Sequence, residues 1–87
     1  MSTKIHPSKL PMAPKELSDQ LLEDASIFIV DDTGIVDSTV TTLLARGLSE
    51  GAVRSIAEFV TYMATFAVAE REANKQGFTI RDWSKAP

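Results

Sequence analysis

Between Ser49 and Gln76 the apolar residues return every three or four positions, and no proline interrupts them, so the pattern predicts one long amphipathic helix. Ser49 is placed to cap its start, Glu50 favours the positive end of the helix dipole, and Gly77-Phe78 reads as a stop with Phe78 folding back on the last turn. The helix carries two stripes. Ile56, Phe59, Met63 and Phe66 form a bulky one, and Val53, Ala57, Val60, Ala64 and Ala67 form a small-residue one beside it. Two stripes call for two sets of neighbours. Small residues allow close helix approach, so one stripe is expected to face the shorter helices and the other a second subunit.

Upstream, Leu17, Leu21, Leu22, Ala25, Phe28 and Ile29 fall at helical spacing behind Pro14, which suits a first helical turn. The end of this helix is open to two readings. The run from Ile27 to Val30 is β-branched and aromatic, and Asp31-Asp32-Thr33-Gly34 follows it, so a strand entering a hairpin turn competes with continued helix. Val36, Val40, Leu43 and Leu44 then mark a second short helix, with Asp37 as candidate N-cap and Gly47-Leu48 as C-terminal cap. Thr39, Thr41 and Thr42 give it poor intrinsic propensity, so packing must hold it.

The expected fold is therefore all-α, two shorter helices packed on one long C-terminal amphipathic helix. The alternative is α+β with a small hairpin around Asp31 to Gly34. Residues 1–13, with Pro7 and Pro11 ahead of Pro14, read as a flexible tail or as a strap offering Ile5, Leu10 and Met12 to a partner's groove. Residues 14–77 read as a single helical domain. Residues 78–87 read as a C-terminal tail whose Trp83 packs on the domain.

Length makes the core thin. A chain of 87 residues buries only roughly 60% of its unfolded surface, and small domains usually compensate with disulfides, metal or oligomerisation. There is no cysteine and a single histidine, His6, in the N-terminal segment. Oligomerisation is the remaining route. The absence of cysteine fits a reducing compartment, so the cytoplasm is the expected location. The stretch from Ala52 to Ala69 is broken by Arg54, Ser55, Glu58, Thr61, Tyr62 and Thr65 and reads as a globular helix, with no membrane association expected. A net charge of −3, with Lys and Arg scattered among acids, disfavours a surface that tracks phosphates.

Four short stretches resemble motifs of known families. Asp32-Thr33-Gly34 resembles the active-site triplet of aspartic proteases, but acidic residues before Thr-Gly are above all turn chemistry. Ile27 to Asp32 resembles the first strand of response-regulator receiver domains, whose strand and helix alternation needs a longer chain. Gly34 to Ser38 is similar to the Asp-Ser motif of acyl and peptidyl carrier proteins, and Ser55 to Met63 to their last helix. That resemblance implies Ser38 as a phosphopantetheine attachment site, although Thr39 stands where carriers have leucine. Thr42 to Ile56 resembles a helix-turn-helix, with Gly47-Leu48-Ser49 at the turn and Val53 and Ile56 pointing inward. Against it, Glu50 would face phosphate and Arg54 is the only nearby cation.

No catalytic residue, metal ligand set or cofactor site is expected, because the acids are spread along helix surfaces. Glu70, Arg71, Glu72 and Lys75 read as a solvated last turn. The sequence thus points to a non-enzymatic helical interaction module that self-associates, most simply as a dimer, through Ile56, Phe59, Met63 and Phe66. Tyr62 lies off both stripes and is the candidate contact for a protein partner, on which the module would act as adaptor, regulator or inhibitor. The helix-turn-helix regulator and the carrier built on Ser38 stand behind that reading.

Overall fold

The computed structural model describes residues 9–81, which fold into three helices: α1 (Lys15–Ile27), α2 (Ile35–Ala45) and α3 (Glu50–Lys75). Helices α1 and α2 pack on α3, as the apolar spacing predicts. Among the described residues there is no strand. The alternative hairpin at Asp31 to Gly34 is corrected, since α1 runs on through a π-helical turn, Phe28–Asp32. The Thr33 hydroxyl donates to the Ile29 carbonyl (2.6 Å) and the Thr33 amide to the Phe28 carbonyl (3.3 Å), so local bonds close the widened turn. A hairpin would have exposed both faces of a single ribbon, whereas this helical continuation buries Ile29 against the rest of the chain.

Gly34, at φ 66, breaks the helix in the left-handed conformation that glycine adopts without strain. Helix α2 therefore starts at Ile35, with its cap at Gly34, three residues before the expected Asp37. The Thr33 hydroxyl accepts from the Ile35 amide (3.2 Å), and Asp37 sits inside the first turn. At the other end, Gly47 (φ 85) donates to the Leu44 carbonyl and Leu48 to that of Leu43, the pairing of a Schellman stop. The same device ends α3, where Gly77 donates to Asn74 and Phe78 to Ala73. Ser49 caps the start of α3 by accepting from the Ala52 amide (3.3 Å). At the head of α1, the Asp19 carboxylate bonds Lys15 (2.7 Å) and raises the ammonium above its ordinary pKa. That pair is open to water and adds little to stability.

The core is built of small side chains. Ala25, Ile29, Val53, Ala57, Ala69 and Ala73 are its buried apolar residues, and four of these six are alanines. The larger apolar residues are left at the edges, Ile56, Phe59 and Met63 among them. Ala67, read from the sequence as part of the small-residue stripe, is exposed, and Ala69 and Ala73 take its place. The buried positions Val53, Ala57, Ala69 and Ala73 are separated by multiples of four residues, and each step of four advances about 40° beyond a full turn of a 3.6-residue helix, so the buried side of α3 rotates along its length.

The segments flanking the helices meet. The Thr79 amide donates to the Pro11 carbonyl (2.9 Å) and the Ala13 amide to the Thr79 carbonyl (2.8 Å), forming a one-residue parallel bridge between Met12 and Thr79. Thr79 is 1% exposed, and its hydroxyl donates to Glu70 Oε1 at 2.7 Å. This clasp sets the start of α1 beside the end of α3. Thr79→Val keeps the shape and removes the hydroxyl, which bonds a charged acceptor. It is expected to lower unfolding free energy in urea by about 1.5 kcal/mol. An unchanged midpoint would mean that the hydroxyl adds nothing to the clasp. Residues Ile5, His6 and Trp83 lie outside the described residues, with the rest of 1–8 and 82–87.

Candidate functional site

Helix α3, about 39 Å long at 1.5 Å per residue, is apolar on more of its circumference than α1 and α2 cover. Val53 and Ala57 are buried toward its neighbours, while on another side Ile56 is 37%, Phe59 64% and Met63 51% exposed. Phe66, the fourth residue of that stripe, is half-buried. Between Ala52 and Ala67 this back face holds no charge, because Arg54 and Glu58 project into the groove shared with α2. A charge-free strip of aromatic, Met and β-branched side chains in water is the kind of surface that marks an interaction site.

The groove between α2 and α3 is the second uncovered surface, with a volume of about 630 Å³. Val36, Val40 and Leu44 supply its α2 wall, Val53, Ala57 and Thr61 its floor, and Glu50, Arg54 and Glu58 its charged rim. Tyr62, 67% exposed, stands at its edge. Helix α2 has no buried residue at all, although it is apolar over most of its length. Tyr62 is thus placed where a partner in this groove would touch it. At the end of α1, Ile27, Phe28 and Val30 add a smaller exposed apolar patch.

A third depression, about 410 Å³, adjoins the lower end of the back face. Met63, Phe66 and Ala67 give way there to Glu70, Asn74 and Arg81. Glu70 Oε1 accepts from the Thr79 hydroxyl and from the Ile80 amide (3.2 Å). With its amide nitrogen turned inward, Asn74 also donates to Glu70 Oε1 (3.2 Å) and to the Phe78 carbonyl (2.9 Å). The other carboxylate oxygen, Oε2, is buried without a partner. Glu70 therefore belongs to the clasp, a role that the sequence reading, which placed it on a solvated face, missed. Thr79 and Ile80 lie beyond the end of α3, so helical periodicity does not announce them.

The motif residues fare differently. Thr33 of the Asp32-Thr33-Gly34 triplet uses its hydroxyl to close the π turn, so the triplet acts as a helix terminator. Ser38 is exposed in the second turn of α2, its amide bonded to the Gly34 carbonyl (2.9 Å). The Thr42 to Ile56 segment forms the end of α2, the Gly47 turn and the start of α3, with Arg46 and Arg54 exposed. Among the described residues, no group of three or more His, Cys, Asp or Glu side chains is placed to hold a metal ion. By length and composition alone α3 could cross a membrane, a criterion that core helices also meet. Comparison with profiles of known families, with curated proteins and with solved structures finds no match to this chain.

Proposed function

We propose that the chain is a non-enzymatic helical interaction module that self-associates through the back face of α3 and offers the α2–α3 groove to a protein partner, as adaptor, regulator or inhibitor. One observation carries this reading: Ile56, Phe59 and Met63 stand in water on a helix whose core contacts lie elsewhere. A core of mostly alanine supplies little of the hydrophobic stabilisation that a domain of this size needs, and covering the stripe with a second copy adds what the monomer lacks.

Light scattering at micromolar concentration is expected to give the mass of two chains. A 9.5 kDa particle at every concentration would reject self-association. The same samples incubated with phosphatidylcholine vesicles are expected to stay in the supernatant on sedimentation, and pelleting with lipid would assign the face to a membrane surface instead.

The helix-turn-helix alternative takes its support from the Gly47 turn joining α2 to α3. Duplex DNA binding is nevertheless expected to be weak and insensitive to sequence, because 12 acids outnumber nine bases and a duplex complex depends on counterion release by clustered cations. A sequence-specific nanomolar complex at physiological salt, read by gel shift, would put that alternative first. An intact mass carrying a phosphopantetheine adduct, lost in Ser38→Ala, would do the same for the carrier.

A further inference from the structure

The back face also specifies how two copies would meet, an inference that rests on the self-association proposed above. Its residues follow spacings of three, four and three, which is the a and d pattern of a two-helix seam, with Ala52 one step before and Glu70 one step after. This spacing reads the same in both directions about Thr61. Two α3 helices laid antiparallel about that point would pair Ile56 with Phe66 of the second copy and Phe59 with Met63. Each layer then joins one larger and one smaller side chain, of nearly equal sum. A parallel pair would instead stack Phe59 on Phe59 and Ile56 on Ile56, giving layers of unequal width.

Charge decides more firmly between the two. Glu70 closes the seam at one end, its carboxylate held there by the Thr79 hydroxyl and the Ile80 amide. In a parallel pair this carboxylate would face its own copy, and the clasp with Arg81 beside it would meet an identical clasp. In the antiparallel pair Glu70 lies opposite Ala52, in the first turn of the other α3. There the side chain is small and the helix dipole is positive.

The area is that of a weak pair. An aromatic side chain presents roughly 150–250 Å², so the exposed fractions of Ile56, Phe59 and Met63 leave about 300 Å² open. With the half-buried Phe66 and the exposed Ala67 the face reaches about 400 Å², or about 800 Å² for the pair, in the range of weak and transient interfaces. We infer that the chain forms an antiparallel homodimer along α3, centred on Thr61, with Phe59 of each copy on Met63 of the other.

Because the sequence has no cysteine, the single variants Glu50→Cys, Glu58→Cys and Lys75→Cys each carry one nitroxide label per chain. Pulsed electron resonance then reads the distance between the two labels of a dimer. At 1.5 Å per residue, the axial separations about Thr61 are roughly 33 Å, 9 Å and 42 Å respectively. The Glu58 pair is expected to be the shortest, and the Glu50 and Lys75 pairs about 10 Å longer or more. Equal distances at all three sites would show a parallel pair and overturn the inference, and so would any order in which the Glu58 pair is not the shortest. Light scattering on the labelled samples separates the two failures, since a monomer would reject self-association itself and a dimer with the wrong distances only this arrangement.

Discussion

Phe59→Ala is expected to weaken self-association by about 2–4 kcal/mol, the cost typical of removing an aromatic anchor from the centre of an interface. The expectation is specific because Phe59 is 64% exposed in the single chain. Truncating it removes little from the monomer's own core. Helical content and the unfolding of the dilute monomer should therefore stay close to those of the parent while sedimentation shows dissociation at higher concentrations. Phe66→Ala should also weaken association, with part of its cost appearing in the monomer, because Phe66 is half-buried. Tyr62→Ala should disturb assembly least and act on partner binding instead, since Tyr62 sits at the groove with α2. Undiminished association in both Phe variants would remove this stripe from the interface. A fall in melting temperature at every concentration for Phe59→Ala would place the ring in the core.

Ala69→Leu and Ala73→Leu are expected to have the largest effects on the monomer. Both alanines are 0% exposed, so three added heavy atoms must displace a neighbouring backbone or adopt strained rotamers. Overpacking of this kind costs typically about 1–3 kcal/mol, and in a core held by so few buried residues the loss should appear as a lower and broader urea transition. Ala67→Leu is the control. Its side chain is exposed, and the dilute monomer should unfold within about 0.5 kcal/mol of the parent. Equal destabilisation by all three would mean that the buried side of α3 does not rotate along its length.

What could be read in advance depended on where the physical cause of each feature lies along the chain. The long helix was legible almost to the residue, Ser49 to Gln76 expected against Glu50–Lys75 found. Its limits are set by local chemistry, a serine accepting at one end and a positive-φ glycine closing the other. The start of α2 was three residues out because Asp37 was the conventional cap. The stop was supplied instead by Gly34 and the Thr33 hydroxyl, which the turn composition showed without showing their roles. The run Ile27 to Val30 was undecided for a stronger reason. Its β-branched and aromatic residues favour strand, and burial of Ile29 against the helices overrode that preference.

Local pattern alone thus determined the position of α3, its caps and its bulky stripe, since periodicity and capping act within a few residues, while it left the α+β alternative open at Ile27 to Val30. Tertiary structure decided the rest. It bent the end of α1 into a π turn and rotated the buried side of α3 from Val53 and Ala57 to Ala69 and Ala73. It also drew Pro11 and Ala13 to Thr79, and Thr79 to Glu70. The bulky stripe was visible as a stripe from its spacing, but that it stays in water depended on where two short helices could reach. Their reach depends on which α3 residues their own apolar faces cover, and that is a property of pairs of elements, absent from any one of them.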